Sequence, residues 1–88
     1  MGYRLILLPE AEKQLRRLER IIAKRILKKL TWIMQQQNPL RYAKSLKDST
    51  IGDMRFRIGD YRAVALLDQK KNLIQIVAVG HRRDIYQS

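Results

Sequence analysis

From Met54 onward the sequence alternates: Met54, Phe56 and Ile58 are apolar, Arg55 and Arg57 between them are cationic, and Gly59-Asp60 precedes a second run that begins at Tyr61. A period of two sends successive side chains to opposite faces of a strand. Two residues between the runs, glycine first, make a type II′ hairpin turn, in which glycine supplies the positive φ. So short a turn leaves the register no freedom. Ile58 must face Tyr61, Arg57 must face Arg62, and Phe56 must face Ala63. Two guanidinium groups therefore oppose each other directly, and Arg55 adds a third cation two residues back on the same face. Like charges opposed across a strand pair cost up to about 1 kcal/mol, and threonine or glutamine would serve an exposed sheet face without that cost. An anion turns the repulsion into attraction, because guanidinium groups grip phosphate oxygens in bidentate fashion. Solvation, or pairing with Asp53, Asp60 and Asp68, is the competing way to relieve it.

The remaining chain builds around this hairpin. Tyr3 to Leu8 reads as a first strand ended by Pro9, which suits the first turn of a helix, with Glu10 and Glu12 placed at the positive end of the helix dipole. Ala11, Leu15, Leu18, Ile22, Ile26, Leu30, Ile33 and Met34 step by three or four, the stripe of an amphipathic helix. One helix of that length is long for an 88-residue chain, so two helices packed as a hairpin are expected, bent near Leu18 to Arg20. Asn38-Pro39 stops the second helix. Leu40 to Gly52 reads as a polar connection anchored by Tyr42, Leu46 and Ile51. After the central hairpin, a turn over Asp68 to Asn72 leads to Leu73–Val79, whose nearly unbroken apolar character suits a central strand covered on both faces. The expected fold is α+β: an N-terminal strand, a two-helix hairpin, then a three-stranded antiparallel meander, with the helices packed on one face of the sheet and residues 1–88 forming one domain.

Charge narrows the functional classes. Nineteen Lys and Arg against eight Asp and Glu give +11, and a pI near 10.6 is that of nucleic-acid-binding domains. Residues 1–47 hold 12 basic and 3 acidic side chains, so most of the excess lies in the helical half, where Lys24, Arg25, Lys28 and Lys29 are candidates for binding RNA or an acidic protein. With no cysteine and one histidine, thiolate chemistry is excluded, and a metal or other cofactor is not expected. No apolar run approaches a membrane span, and the chain reads as cytoplasmic.

The C-terminal segment adds other chemical groups. Val79 ends the last strand, and Gly80 after it would let the backbone swing His81, Arg82 and Tyr86 toward one side of the sheet. Histidine, with a reference pKa of about 6.5, suits proton transfer near neutrality. Tyrosine stacks on bases or hydrogen-bonds a hydroxyl. Arg83 is a further candidate contact to RNA.

Met54-Arg55-Phe56-Arg57-Ile58-Gly59-Asp60-Tyr61-Arg62, followed by Val79-Gly80-His81-Arg82-Arg83-Asp84-Ile85-Tyr86, closely resembles the RelE/ParE toxin superfamily. Leu8–Leu15 and Arg25–Leu30 are similar to that family too, so the resemblance spans essentially the whole chain. It implies a toxin of a type II toxin–antitoxin pair, held inactive by a cognate antitoxin. In the RelE branch the free toxin enters the ribosomal A site and cuts mRNA without metal: the ribose 2′-hydroxyl attacks the adjacent phosphate, leaving a cyclic phosphate and a free 5′-hydroxyl. The resemblance matches Arg55, Arg57, Arg62, Arg82 and Tyr86 to the family's site. For such a reaction Arg57, Arg62 and Arg82 are the candidates to stabilise the charge that grows on the phosphorane oxygens, Arg55 to position the RNA backbone, and Tyr86 and His81 to form the acid–base pair in either order, with stacking on the nucleotide as the other role open to Tyr86. Arg55 and Arg57 stand where several RelE-like toxins carry lysine, and Ala65 where many relatives carry a larger residue, which implies altered substrate packing there. Two other readings compete. A ParE-like toxin inhibits DNA gyrase without nuclease chemistry, and a nonenzymatic nucleic-acid-binding module would need only the charge.

Overall fold

The computed structural model describes residues 2–46 and 52–85. Its elements are β1 (Arg4–Leu7), α1 (Pro9–Arg17), α2 (Arg20–Met34), a 3-10 turn (Pro39–Tyr42), β2 (Ala43–Ser45), β3 (Met54–Ile58), β4 (Tyr61–Asp68) and β5 (Leu73–His81). No described helix is long and apolar enough to cross a membrane.

The helical stripe divides where the sequence suggests. Leu18 and Glu19 leave helical geometry, with ψ of 157° and 140°. Neither glycine nor proline occurs there, so packing makes the bend: Leu18 rests against the same core that buries Ala11 and Leu15 from α1 and Ile26, Leu30 and Ile33 from α2. Pro9 occupies the first position of α1, and Glu10 and Glu12 fill its first turn.

The sheet has five strands in the order β1-β5-β4-β3-β2. β1 lies parallel to β5, and the other neighbours are antiparallel. β5 is flanked by strands on both sides, but the central position expected of it belongs to β4. β1 stops at Leu7 because proline follows two residues later, and the Leu8 N–H closes its last bond on the Ile76 carbonyl at 2.9 Å. Beyond that point α1 covers β5, and the Gln14 side chain accepts the Val79 N–H at 2.7 Å. A helix residue thus takes over where a strand partner ends, as a partly buried backbone donor requires.

The connection from Leu40 to Gly52 is more structured than expected. Tyr42 does not anchor it in the core: it is exposed and packs edge-on against Trp32. Ala43–Ser45 pairs with β3 as an edge strand. Leu46 donates its N–H to the Asp53 carbonyl, and Ile51 lies outside the described residues. Gly52 passes so close to β4 that a Cβ there would meet Val64 Cγ1 at 2.7 Å and the Ala65 carbonyl oxygen at 2.8 Å. Only glycine fits beneath that strand.

Alternation assigns the two faces of the sheet. Met54, Phe56, Ile58, Ala63, Ala65, Ile74, Ile76 and Val79 face the helices and form the core with them. Ala65 is therefore a core residue under the helices, which removes the expectation that it touches substrate. Arg55, Arg57, Arg62, Val64, Ala78 and Gly80 belong to the second face.

Candidate functional site

The Gly59-Asp60 turn forms as its composition requires, with Gly59 at φ 60°. It sets Ile58 opposite Tyr61, Arg57 opposite Arg62 and Phe56 opposite Ala63. Two registers extend this pattern across the second face. Arg57, Arg62 and Gly80 make one row, and Lys44, Arg55, Val64 and Ala78 make the next. Lys44 is a cation of this surface that the sequence reading missed. Its signal was the alternation of Ala43 and Ser45 around it, which is too short to declare a strand on its own.

The two opposed arginines are not equivalent. Arg57 is exposed, whereas Arg62 is only 7% exposed. Its Nη1 donates to the Gly59 carbonyl at 2.9 Å and to the Tyr61 carbonyl at 3.0 Å. Bonds to two carbonyls spread its charge over backbone dipoles, and this offsets the repulsion from Arg57. Arg62 thus braces the hairpin tip while Arg57 projects from it.

Arg82 comes to the same tip. Its N–H donates to the Asp60 carbonyl at 2.7 Å, and its Nε stands 3.9 Å from the Asp60 carboxylate, with both side chains substantially exposed. After β5 the chain coils tightly, the His81 carbonyl accepting from the N–H groups of Asp84 and Ile85 at 2.9 and 3.0 Å. This coil lays Ile85 over the second face: a Cβ on Gly80 would lie 3.6 Å from the Ile85 Cβ. Gly80 provides the room, and its place in the row beside Arg62 shows which face the coil covers.

His81 goes elsewhere. It pairs with Tyr61, and the two rings make an edge contact at 5.4 Å. Tyr61 packs against the helix-side core, so His81 shares that face and sits across the sheet from Arg57 and Arg62. Its Nδ1 accepts the Arg83 N–H at 3.2 Å. The expectation that Gly80 swings the histidine toward the arginines fails because strand pairing continues through His81 and preserves the alternation. Arg83 is exposed, and Tyr86 lies outside the described residues.

The helical cations form a second, separate surface. Arg25, Lys28 and Lys29 line one trench on α2 together with Trp32. Lys24 is exposed on the same helix without lining that trench.

What the hairpin end can do chemically follows from its parts. Arg57, Arg82, Arg55 and Lys44 present positive charge over a short stretch of backbone-anchored surface. The charge and guanidinium donors of such a surface suit phosphate oxygens.

Comparison with curated protein sequences yields no match. A family model, the ParE toxin of type II toxin–antitoxin systems (parDE), matches residues 5–86. Solved structures of similar fold include the RelBE2 toxin–antitoxin complex from Mycobacterium tuberculosis, at 24% identity and a TM-score of 0.77, covering 93% of this chain and 100% of that one. The archaeal RelE–RelB complex from Pyrococcus horikoshii matches at 24% identity and a TM-score of 0.71, over 96% and 99% of the two chains. The intact RelBE complex of E. coli matches at 20% identity and a TM-score of 0.69, over 91% and 96%. Identities this low establish likeness of fold, and that fold is the one built above: two helices on one face of a five-stranded sheet. With the family model spanning nearly the whole sequence, the chain belongs to the ParE toxin family within the RelE/ParE superfamily and is a toxin of a type II toxin–antitoxin system.

Proposed function

We propose that this toxin is a ribosome-dependent endoribonuclease, which holds mRNA against the hairpin end of its sheet and cleaves it by metal-independent attack of the ribose 2′-hydroxyl on the adjacent phosphate. The observation that carries this reading is the cation arrangement: Arg57 projecting beside a braced Arg62, flanked by Arg55 and Lys44, with Arg82 tied to the same turn. In the reaction the 2′-oxygen gives its proton to solvent water and forms a bond to phosphorus as the bond to the 5′-oxygen breaks, and negative charge grows on the two non-bridging oxygens. Arg57 and Arg82 are assigned to those oxygens, where a positioned donor is worth about 10² to 10³ in rate. Arg62 holds the tip that aims them, while Arg55, Lys44 and Arg83 are assigned to neighbouring phosphates.

Of the two acid–base candidates, Tyr86 follows directly on Ile85, whose side chain covers the arginine face, whereas His81 lies on the other face. The reading therefore assigns proton transfer to Tyr86 and gives His81 a packing role beside Tyr61. The 2′-hydroxyl proton must leave and the 5′-oxygen must gain one. A phenol with a reference pKa of about 10 is protonated at neutral pH and suits the second task. An antitoxin is proposed as the controlling partner, in keeping with the RelE–RelB complexes that share this fold. Action on ribosomes places the toxin in the cytoplasm.

The test is to map mRNA 5′ ends in a translating extract with purified protein. Cuts within codons that leave free 5′-hydroxyl ends, lost in Arg57→Ala, are the expected result. A second reading, inhibition of DNA gyrase without nuclease chemistry, is favoured by the ParE family model matching residues 5–86. Intact mRNA together with blocked gyrase supercoiling would replace the first reading with the second.

A further inference from the structure

Ile21, Arg25, Lys28 and Trp32 recur every three or four positions along α2 and so form one stripe on its outer side. The stripe is unusual for a solvated helix face because apolar residues sit among its cations: Ile21 is 70% exposed and Trp32 42%. Arg25, Lys28, Lys29 and Trp32 wall a trench of about 320 Å³ whose lining is almost entirely hydrocarbon. Its walls are the alkyl stems of the basic residues and the indole, while the charged heads rise at the rim. Lys29 Nζ stands 4.4 Å from the centroid of the Trp32 ring. Tyr42, delivered by the 3-10 turn, meets the indole edge-on at 5.2 Å and fixes its orientation. From Arg20 to Met34 there is no acidic residue, and the ion pairs Arg16–Glu12 and Arg82–Asp60 both lie elsewhere.

The geometry points to a docking site for one unstacked nucleotide of single-stranded RNA, with its base against Trp32 and its flanking phosphates on Arg25, Lys28 and Lys29. Charge alone would accept an acidic peptide equally well. The indole set among the cations favours RNA, since a basic groove with a ring on which a base can stack is the chemistry of single-strand binding. The base replaces the Lys29 ammonium over the ring, and that ammonium moves to a phosphate. The exchange is favourable because a stacked base outweighs an exposed lysine–ring contact. The site lies in the helix layer, on the other side of the sheet from Arg57 and Arg62, so it is a second RNA contact and not an extension of the hairpin surface.

Trp32 is the only tryptophan in the chain, and its fluorescence therefore reports this site alone. The wild-type protein is titrated with a 2′-O-methylated oligonucleotide, which the protein cannot cleave, and in parallel with an oligoglutamate of equal charge. Saturable quenching by the oligonucleotide, weaker or absent with oligoglutamate, is the expected result. Anisotropy of labelled RNA should show affinity falling on the order of tenfold in Trp32→Ala and recovering in Trp32→Phe. RNA binding that leaves the fluorescence unchanged, or equal quenching by oligoglutamate, overturns the proposal. No ribosome is present and the RNA is uncleavable, so the outcome is separate from whether the toxin cuts mRNA.

Discussion

At the hairpin end the cations are mainly arginines anchored by strand pairing and turn carbonyls, whereas along α2 they are mainly lysines on four-carbon stems around an exposed indole. The hairpin surface has paid for its geometry in advance: Arg62 gives up exposure to two backbone carbonyls, and Arg57 is left projecting from a strand whose register cannot slip. Preorganised donors of this kind suit charge that develops only in a transition state. Flexible cations around a ring adapt to whatever segment arrives and contribute affinity through counterion release. One surface is built to act at a point and the other to hold.

Variants can pull the two apart. Phe56→Ala deletes the fully buried ring behind the arginine strand and should cost about 3–5 kcal/mol. In a chain of this size that lowers Tm by more than about 10 °C, and calorimetry would read it. If stability scarcely changed, the hairpin would not be anchored through its core face. Arg57→Ala should lower mRNA cleavage by about 10²- to 10³-fold while moving stability by less than about 0.5 kcal/mol. Equal losses in both would make Arg57 structural. Arg62→Met keeps bulk but leaves the Gly59 and Tyr61 carbonyls without their donor, for a destabilisation of about 1–3 kcal/mol by denaturant titration. A variant as stable as wild type would return Arg62 to a purely catalytic role. The smallest effect belongs to the helix: Lys28→Gln with Lys29→Gln should reduce the slope of log affinity for single-stranded RNA against log salt by about 0.7 per lost phosphate contact. An unchanged slope would reduce those lysines to a solvated face.

How much of this was legible in sequence varied with the length of the connection involved. A two-residue turn made the Arg57–Arg62 opposition readable, and the three-to-four spacing of Ala11 through Met34 made the buried helix face readable, as was the break near Leu18. The edge strand Ala43–Ser45 escaped notice because three residues carry too little periodicity, and Lys44 escaped with it. His81 was misplaced for a different reason. Its face depends on the pairing of β5 with β4, and the turn from Gln69 to Asn72 together with the register shift at Val64 and Ala65 breaks the parity that could be carried forward from Arg62. Trp32 and Tyr42 were visible as residues, but their meeting depends on how the Pro39–Tyr42 turn folds back on α2.

The amino-acid sequence by itself determined the alternation of β3, the tight turn and the amphipathic stripe, because each is enforced by neighbours a few residues apart. Tertiary structure alone decided that β1 joins β5 in parallel, that Lys44 lines up beside Arg55, that Arg62 is enclosed and that His81 faces the helices. These depend on contacts between segments distant in the chain. Local geometry leaves several such arrangements open, and the shared burial of the core against the cost of closing long loops selects among them.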